Sequence, residues 1–154
     1  MNKSPQQNTQ QVAAVIARDC LVSRVRYLNR SLTAIYDEAF RPFGITASQV
    51  NMLVAVINRG SLSPVQLSEI LNIEKSTLSR NLERMRKAGW IEIIPPASGR
   101  THAIQASNKG KKLLCKVLAP WEKAQKAAGL LLDSEGSTAL RKVSDHARRK
   151  HMNS

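Results

Sequence analysis

Between Ser63 and Lys87 the chain reads SPVQLSEILNIEKSTLSRNLERMRK. This stretch joins two helical segments through a tight turn. The first segment opens with Ser63 as a capping hydroxyl and Pro64 at the first helical position, where a missing N–H costs nothing. After a turn at Asn72 and Ile73, the second segment spans about residues 75–88 and stops at Gly89. Two short helices across such a turn predict a helix-turn-helix.

The second helix of this pair has two unlike faces when it is projected at about 100° per residue. One side gathers Leu78, Leu82 and Met85, with Asn81 and Ala88 beside them. The opposite side carries hydroxyl, carboxylate and cationic groups, from Ser76, Arg80, Glu83, Arg84 and Lys87. We predict that the first side packs in the core and the second side faces outward.

The outward face has the chemistry of a DNA-reading helix. A major groove accepts one α-helix, and arginine can bridge guanine with two hydrogen bonds, worth roughly 1–3 kcal/mol of discrimination. Ser76, Thr77 and Ser79 can bond phosphates or base edges, and the first-turn amides favour a phosphate. The alternative is a merely solvated polar face, which is the more ordinary role of such a surface.

The residues after Gly89 change period and predict a β-hairpin. Trp90–Ile94 is β-prone, Pro95-Pro96 breaks it, and residues 101–106 can return as the second strand. The hairpin tip carries cationic side chains that would suit a minor groove, whose negative potential attracts arginine. A helix-turn-helix followed by a hairpin is the winged-helix order. The predicted DNA-binding residues are therefore Ser63, Lys75, Ser76, Thr77, Ser79, Arg80, Asn81, Arg84, Lys87, Arg100 and His102.

Long helices flank this segment on both sides. Residues 1–11 are polar and predict a disordered arm, and residues 12–45 predict a helix with an apolar stripe that ends near Pro42 and Gly44. A capping box at Thr46 and Gln49 opens the winged helix-turn-helix domain, residues 46–106. The fold class is thus mainly α with a small β-hairpin wing.

Residues 107–154 predict further helices that take part in dimerisation. Pro120 should kink or interrupt the first of them, and Asp133-Ser134 should start the last. Trp121 and residues 130–132 are apolar side chains that need partners. A two-fold pairing would bury the same patch on each subunit and place two reading helices about 34 Å apart. A monomeric helical bundle is the alternative.

The charge balance favours a polyanionic partner. The chain of 154 residues has 24 Lys and Arg against 11 Asp and Glu, a formal net charge of +13. Nucleic acid is the first interpretation, and an acidic membrane surface or a ribosome the second. The sequence has neither a signal-peptide pattern nor an apolar run near the roughly 20 residues that a membrane span requires, so we expect a cytoplasmic protein that does not enter membranes.

Residues 20–125 resemble the MarR family of bacterial regulators. The resemblance rests on the order and spacing of the segments LTAIYDEAF (32–40), GITASQ (44–49), STLSRNL (76–82), GRT (99–101) leading to SNKG (107–110), and PWEKAQ (120–125). It implies a triangular homodimer whose terminal helices interlock and whose two winged helices bind the halves of a near-palindromic site on double-stranded DNA. Ser98 stands where family wings usually carry Asp, and Glu74 stands where the reading helix usually opens with Asp.

The resemblance also implies regulation by a small molecule or by cysteine oxidation. A pocket lined by Arg24, Tyr27 and Leu28 is the hypothesis for a small aromatic effector, with Arg24 offering charge to a carboxylate. Cys20 is a candidate redox thiol near the family's sensing position, where Arg18 would lower its pKa and Asp19 would oppose this; a packed helix thiol is the alternative.

Other chemistry finds little support in the sequence. Cys115 lies among leucines and valines and is expected in the core. The three histidines have no metal-ligand spacing with either cysteine, and neither a phosphate loop nor a partnered nucleophile is evident, so we expect no metal, no cofactor and no catalytic residues. The competing functions are a winged-helix protein-interaction module without specific DNA binding and, far behind, a small enzyme.

Overall fold

A computed structural model describes residues 5–95 and 102–152 and confirms a mainly helical protein with one β-hairpin. The elements in chain order are α1 (Pro5–Asp19), α2 (Leu21–Phe40), a 3₁₀ turn (Arg41–Phe43), α3 (Ala47–Arg59), α4 (Pro64–Leu71), α5 (Lys75–Lys87), β1 (Ile91–Ile94), β2 (Ala103–Ala106), α6 (Asn108–Lys116) and α7 (Leu118–Met152). In the described part of the chain, none of these helices is both long and apolar enough to cross a bilayer.

The chain divides into two units, Met1–Ala34 and Ile35–Ser154. In the first unit, α1 begins at Pro5, so residues 5–11 are helical where the sequence predicts a disordered arm. Proline at the first helical position and several glutamines, which are good helix formers, account for the difference. Residues 1–4 of the predicted arm lie outside the described residues.

The long helix predicted for this part of the chain is interrupted at Cys20, between α1 and α2. The Cys20 N–H donates to the Ile16 carbonyl at 3.0 Å, and the Arg24 N–H donates to the Cys20 carbonyl at a longer distance of 3.4 Å. The interruption is therefore local, and α2 continues as far as Phe40.

The second unit builds its core from α3, α4, α5, α6 and the hairpin. Met52, Leu53, Leu67, Met85 and Ile104 are completely buried at its centre. The hairpin is antiparallel, with Ile91 opposite Ala106 and Ile94 opposite Ala103. Leu62 adds one bridge to Ile104, with N···O distances of 3.1 and 2.8 Å, so the segment before α4 borders the hairpin.

The helix starts that were predicted from sequence are confirmed. Thr46 and Gln49 form a reciprocal capping box at α3, and Ser63 and Gln66 form another at α4. Each box satisfies two backbone N–H groups that a helix start would otherwise leave without partners. These caps fix where the helices around the core begin.

The C-terminal helices are interrupted shortly before Pro120, where the sequence predicts a kink or a break, and again at the predicted Asp133. The helix that Ser107 caps ends at Lys116, and Pro120 lies in the first turn of α7, where its missing N–H is tolerated. Asp133 has φ 55°, outside the helical region, and its carboxylate accepts a 2.8 Å hydrogen bond from the Gly136 N–H. Asp133 therefore caps the last helical segment, as predicted.

The expectation for Cys115 was wrong, because its side chain is exposed in the chain. The α6 face that meets the core carries Gly110, Leu113, Leu114 and the following Val117. Cys115 lies on the opposite, exposed face of this amphipathic helix. Neighbouring leucines in the sequence do not place a residue on their face of a helix.

Candidate nucleic-acid interface

The turn between α4 and α5 is held by backbone and side-chain bonds. Asn72 takes the left-handed conformation (φ 48°), which asparagine tolerates better than most residues. The Ser68 hydroxyl donates to the Ile73 carbonyl at 2.7 Å, and the Ile73 N–H returns a 3.1 Å bond to the Ser68 carbonyl. These two hydrogen bonds between Ser68 and Ile73 fix the turn from which α5 begins.

The predicted two-faced character of α5 is confirmed. Leu78, Leu82 and Met85 are buried. Asn81 is half-buried, and its amide group donates to the Thr77 carbonyl at 3.0 Å. The other predicted DNA-binding residues of α5 are exposed: Lys75, Ser76, Thr77, Ser79, Arg80, Arg84 and Lys87.

The first turn of α5 presents backbone N–H groups without a side-chain cap. Glu74 occupies the N-cap position and makes no capping bond with its side chain. The first intrahelical bond runs from the Leu78 N–H to the Glu74 carbonyl at 2.9 Å. The three preceding N–H groups are therefore free of intrahelical partners, and with the helix dipole they favour an anion at this end.

Glu83 neutralises part of the basic face. The Arg86 guanidinium donates two 3.0 Å hydrogen bonds to its carboxylate, and the Lys87 Nζ lies 3.5 Å from it. The hydrogen bonds from Arg86 are the main cause of a lowered pKa for Glu83. Arg86 and Lys87 consequently present less free charge than their number suggests.

The remaining cations of α5 are available for a partner. The Arg80 Nε donates to the Ser76 carbonyl at 3.2 Å, which lays the guanidinium along the helix. Within residues 5–95 and 102–152, no ion pair involves Lys75, Arg80 or Arg84. These three side chains can approach a polyanion without first giving up a carboxylate.

A groove next to α5 brings several predicted residues together. It has a volume of about 530 Å³, and Lys75 and Ser79 of α5 and His102 before β2 line it together with Val65 and Ile93. Ser63 lies at the adjacent start of α4, where its hydroxyl accepts from the Gln66 N–H at 3.2 Å. Arg100, the other wing residue that was predicted, lies outside the described residues.

The end of α5 has contacts that the sequence analysis missed. The Lys109 Nζ donates to the Ala88 carbonyl at 2.7 Å, and the Ser107 hydroxyl donates to the Gly89 carbonyl at 2.6 Å. A lysine beside a helix C-terminus suits the negative end of the dipole. Lys109 lies 21 residues from its acceptor, so local sequence gave no signal for this pair.

The residues predicted for regulation lie in the first unit. Arg24, Tyr27 and Leu28 follow one another along α2, where Tyr27 is 70% exposed and Leu28 is half-buried. The Arg24 guanidinium donates to the Arg18 carbonyl. These contacts do not test whether the three residues line an effector pocket, so the pocket stays a prediction.

Cys20 has an acidified thiol, but not through the expected cation. Hydrogen bonds to the Ser23 hydroxyl, first, and to backbone N–H groups lower the pKa of Cys20. Arg18 is instead engaged with Asp19 at 2.9 and 3.0 Å. Among the described residues, no group of three or more His, Cys, Asp or Glu side chains could hold a metal ion.

Comparison with known proteins agrees with this architecture. A family model described as the MarR family matches residues 43–100. The multiple antibiotic resistance protein MarR of Escherichia coli is 24% identical over 91 residues, 59% of this chain and 63% of that protein. The chain spans between about half and two thirds of the length of the curated relatives it matches.

Two solved structures share the fold. A mutant MarR from E. coli complexed with operator DNA has a TM-score of 0.76 at 18% identity, covering 86% of this chain and 96% of that one. The Mycobacterium tuberculosis transcriptional regulator MosR in complex with DNA has a TM-score of 0.75 at 25% identity, covering 88% and 98%.

Proposed function

We propose that this chain is a winged-helix regulator of the MarR family, to which it is similar in sequence and fold, and that it binds DNA sequence-specifically as a homodimeric transcriptional regulator. One observation carries the proposal: α5 buries Leu78, Leu82 and Met85 while Arg80 and Arg84 stay exposed without a carboxylate partner among the described residues. The charges of Arg80 and Arg84 are therefore available to a polyanion, whereas the charge of Arg86 is paired with Glu83.

The residues of this face have distinct proposed roles. Arg80 and Arg84 project toward base edges, where each can bridge a guanine. The first-turn amides of α5 and the hydroxyls of Ser76 and Thr77 hold a phosphate. Arg100 on the wing enters the adjacent minor groove, where narrow A·T tracts attract arginine.

Homodimerisation supplies the second reading helix. One helix in one groove seldom gives enough specificity, whereas two helices about 34 Å apart read two half-sites of a near-palindrome. The exposed leucines of α7, Leu130 and Leu131, support a partner for the C-terminal helices. A dimer seated on an operator that overlaps a promoter would repress transcription by excluding the polymerase, and a small aromatic effector would relieve it.

The decisive experiment is selection of bound duplexes from a random DNA pool, followed by binding measurements on the selected site. We expect a near-palindromic consensus and an affinity that falls steeply with salt, because phosphate contacts release counterions. Arg80→Ala should weaken specific binding by about 1–3 kcal/mol and relax one position of the consensus. Lys126→Ala, an exposed cation on α7, is the matched control and should bind like wild type.

Two results would contradict this proposal. Failure of the pool to converge on any sequence would favour a winged-helix interaction module instead. Equal binding by Arg80→Ala and wild type on the selected site would show that α5 does not read it.

A further inference from the structure

The start of α6 holds the end of α5 through three consecutive backbone carbonyls. The Ala88 carbonyl accepts a 2.7 Å hydrogen bond from the Lys109 Nζ. The Gly89 carbonyl accepts from the Ser107 hydroxyl at 2.6 Å, and the Trp90 carbonyl accepts from the Ser107 N–H at 3.0 Å. Carbonyl groups at a helix end lack partners within the helix, so donors from another segment can fix that end. We call these three bonds the carbonyl clamp.

The Ser107 hydroxyl takes part in both helices. It donates to the Gly89 carbonyl and accepts from the Gly110 N–H at 3.0 Å, which is the N-cap bond of α6. Ser107 is 9% exposed, so water competes little for these bonds. Separation of the two helix ends would leave a buried hydroxyl without its acceptor, which is unfavourable.

Lys109 adds a positive charge to the carbonyl clamp. Its side chain is exposed, and Ala88, which it contacts, is the C-cap of α5, at the negative end of the helix dipole. Within residues 5–95 and 102–152, no ion pair involves Lys109. Its ammonium group therefore interacts with the helix end rather than with a carboxylate.

The angle of α5 matters because side chains proposed to read bases lie far from its start. The turn before α5 is fixed by the two bonds between Ser68 and Ile73. Arg84 lies nine residues beyond Lys75, about 13 Å along the axis, so a tilt of about 10° would displace it by about 2 Å. Hydrogen-bond lengths vary by much less than this, so a two-bond contact with a base would be lost. Burial of Met85 restrains α5 without setting its angle, because apolar contacts are not directional.

We propose that Lys109 is a positioning residue for DNA reading, which acts through the Ala88 carbonyl to fix the angle of α5. This inference rests on the proposed function and extends it to a residue that itself touches neither base nor phosphate. Recognition of one sequence requires the correct angle of α5, whereas binding to the phosphate backbone of any duplex does not. Loss of the Lys109 bond should therefore reduce discrimination between duplexes more than affinity for DNA in general.

The first experiment measures the carbonyl clamp in the absence of DNA. Lys109→Met keeps the length of the side chain but removes its donor and its charge. We expect the amide protons of residues 88–90, which donate to carbonyls within the end of α5, to exchange with deuterium about two- to fivefold faster than in wild type. Lys112→Met is the matched control and should exchange like wild type, because Lys112 is another exposed lysine of α6 and has no ion pair in the described part of the chain.

The second experiment compares the duplex that wild type selects with a scrambled duplex of the same composition. Lys109→Met should bind the selected duplex about fivefold more weakly than Lys112→Met, which removes the same charge from the same helix, and both should bind the scrambled duplex equally well. The salt dependence of binding should be the same in both variants, since neither loses a phosphate contact. Lys109→Arg, which retains a charged donor, should restore most of the binding. A role confined to stability would lower the unfolding temperature and leave the ratio of the two affinities unchanged.

Four outcomes would overturn the proposal. A salt slope lower by about one in Lys109→Met than in Lys112→Met would mean that Lys109 contacts a phosphate itself. Equal losses on the two duplexes would reduce the effect to general charge, and failure of Lys109→Arg to restore binding would mean that the charged donor is not what matters. Unchanged amide exchange in Lys109→Met would mean that this lysine does not hold the end of α5. If wild type selects no duplex, the proposed function fails, and the exchange measurement still decides whether Lys109 fixes α5.

Discussion

The winged segment (residues 46–106) and the helices that flank it differ in how far their own chain covers their apolar residues. At the centre of the winged segment, Met52, Leu53 and Ile104 are fully covered by their own chain. In the flanking helices, Leu21 is 76% exposed and Leu130 87% exposed. The winged segment thus lies around a covered core that it shares with Phe40 and Val117, whereas the flanking helices expose apolar surface that a second copy would cover in the proposed homodimer.

The largest expected effect lies in the core of the winged segment. Leu67→Ala should lower the free energy of unfolding by about 2–5 kcal/mol, because it removes buried methyl groups and leaves a cavity. Val65→Ala on the same helix is the matched control: Val65 is exposed, so its loss should stay within about 0.5 kcal/mol. Urea unfolding measures both. Equal losses would mean that α4 is not anchored through Leu67.

The next effect should appear in the flanking helices. Leu130→Glu should shift the chain from dimer to monomer, since a charge at a buried contact costs about 2 kcal/mol or more of association free energy. Light scattering after size-exclusion chromatography measures the oligomeric state. Asn51→Glu introduces the same side chain at an exposed polar position of α3 in the winged segment and should leave the dimer intact. A wild-type chain that is monomeric at all concentrations would show that no second copy covers the apolar surface of the flanking helices.

A smaller effect distinguishes two arginines within α5. Arg84→Ala should weaken binding to the selected DNA site by about 1–3 kcal/mol, because we propose that this guanidinium contacts a base. Arg86→Ala should lose much less binding free energy, because Arg86 already donates two 3.0 Å hydrogen bonds to the Glu83 carboxylate. Gel-shift titrations at one fixed salt concentration compare the two. Equal losses would indicate that the Glu83 pair opens on DNA.

The smallest effect concerns the thiol at the start of α2. In a Cys115→Ser background, Ser23→Ala should slow alkylation of Cys20 by iodoacetamide at pH 7.5, because the Ser23 hydroxyl lowers the pKa of Cys20. A lowered pKa raises the thiolate fraction below the ordinary pKa, so the two rates should converge at about pH 10, where both thiols are deprotonated. Ser31→Ala, another serine of α2, is the control. A rate difference that persists at high pH would point to access rather than acidity.

Local signals in the sequence predicted much of this fold. The spacing of Leu78, Leu82 and Met85 gave the buried face of α5, and the capping boxes at Thr46 and Ser63 gave the starts of α3 and α4. Such features depend on residues within one or two helical turns of each other, so a single sequence contains them.

Features that depend on distant partners were not predictable. The contact of Lys109 with the Ala88 carbonyl joins two segments 21 residues apart, and the exposure of Cys115 depends on which side of α6 meets the core. The break at Cys20 has no proline or glycine to mark it. The exposed side chains on α5 could be named from helical period and charge, but the pairing of Arg86 and Lys87 with Glu83 required side-chain positions.

One glycine of α6 has a consequence for how motion passes through the molecule. A Cβ on Gly110 would lie 2.1 Å from the Trp90 carbonyl oxygen, so α6 and the backbone just before the hairpin are in direct contact. Two main chains at this distance have no side chain between them that could change rotamer and absorb a displacement. A shift of α6 toward the hairpin would therefore push directly on the Trp90 backbone, immediately before β1 begins.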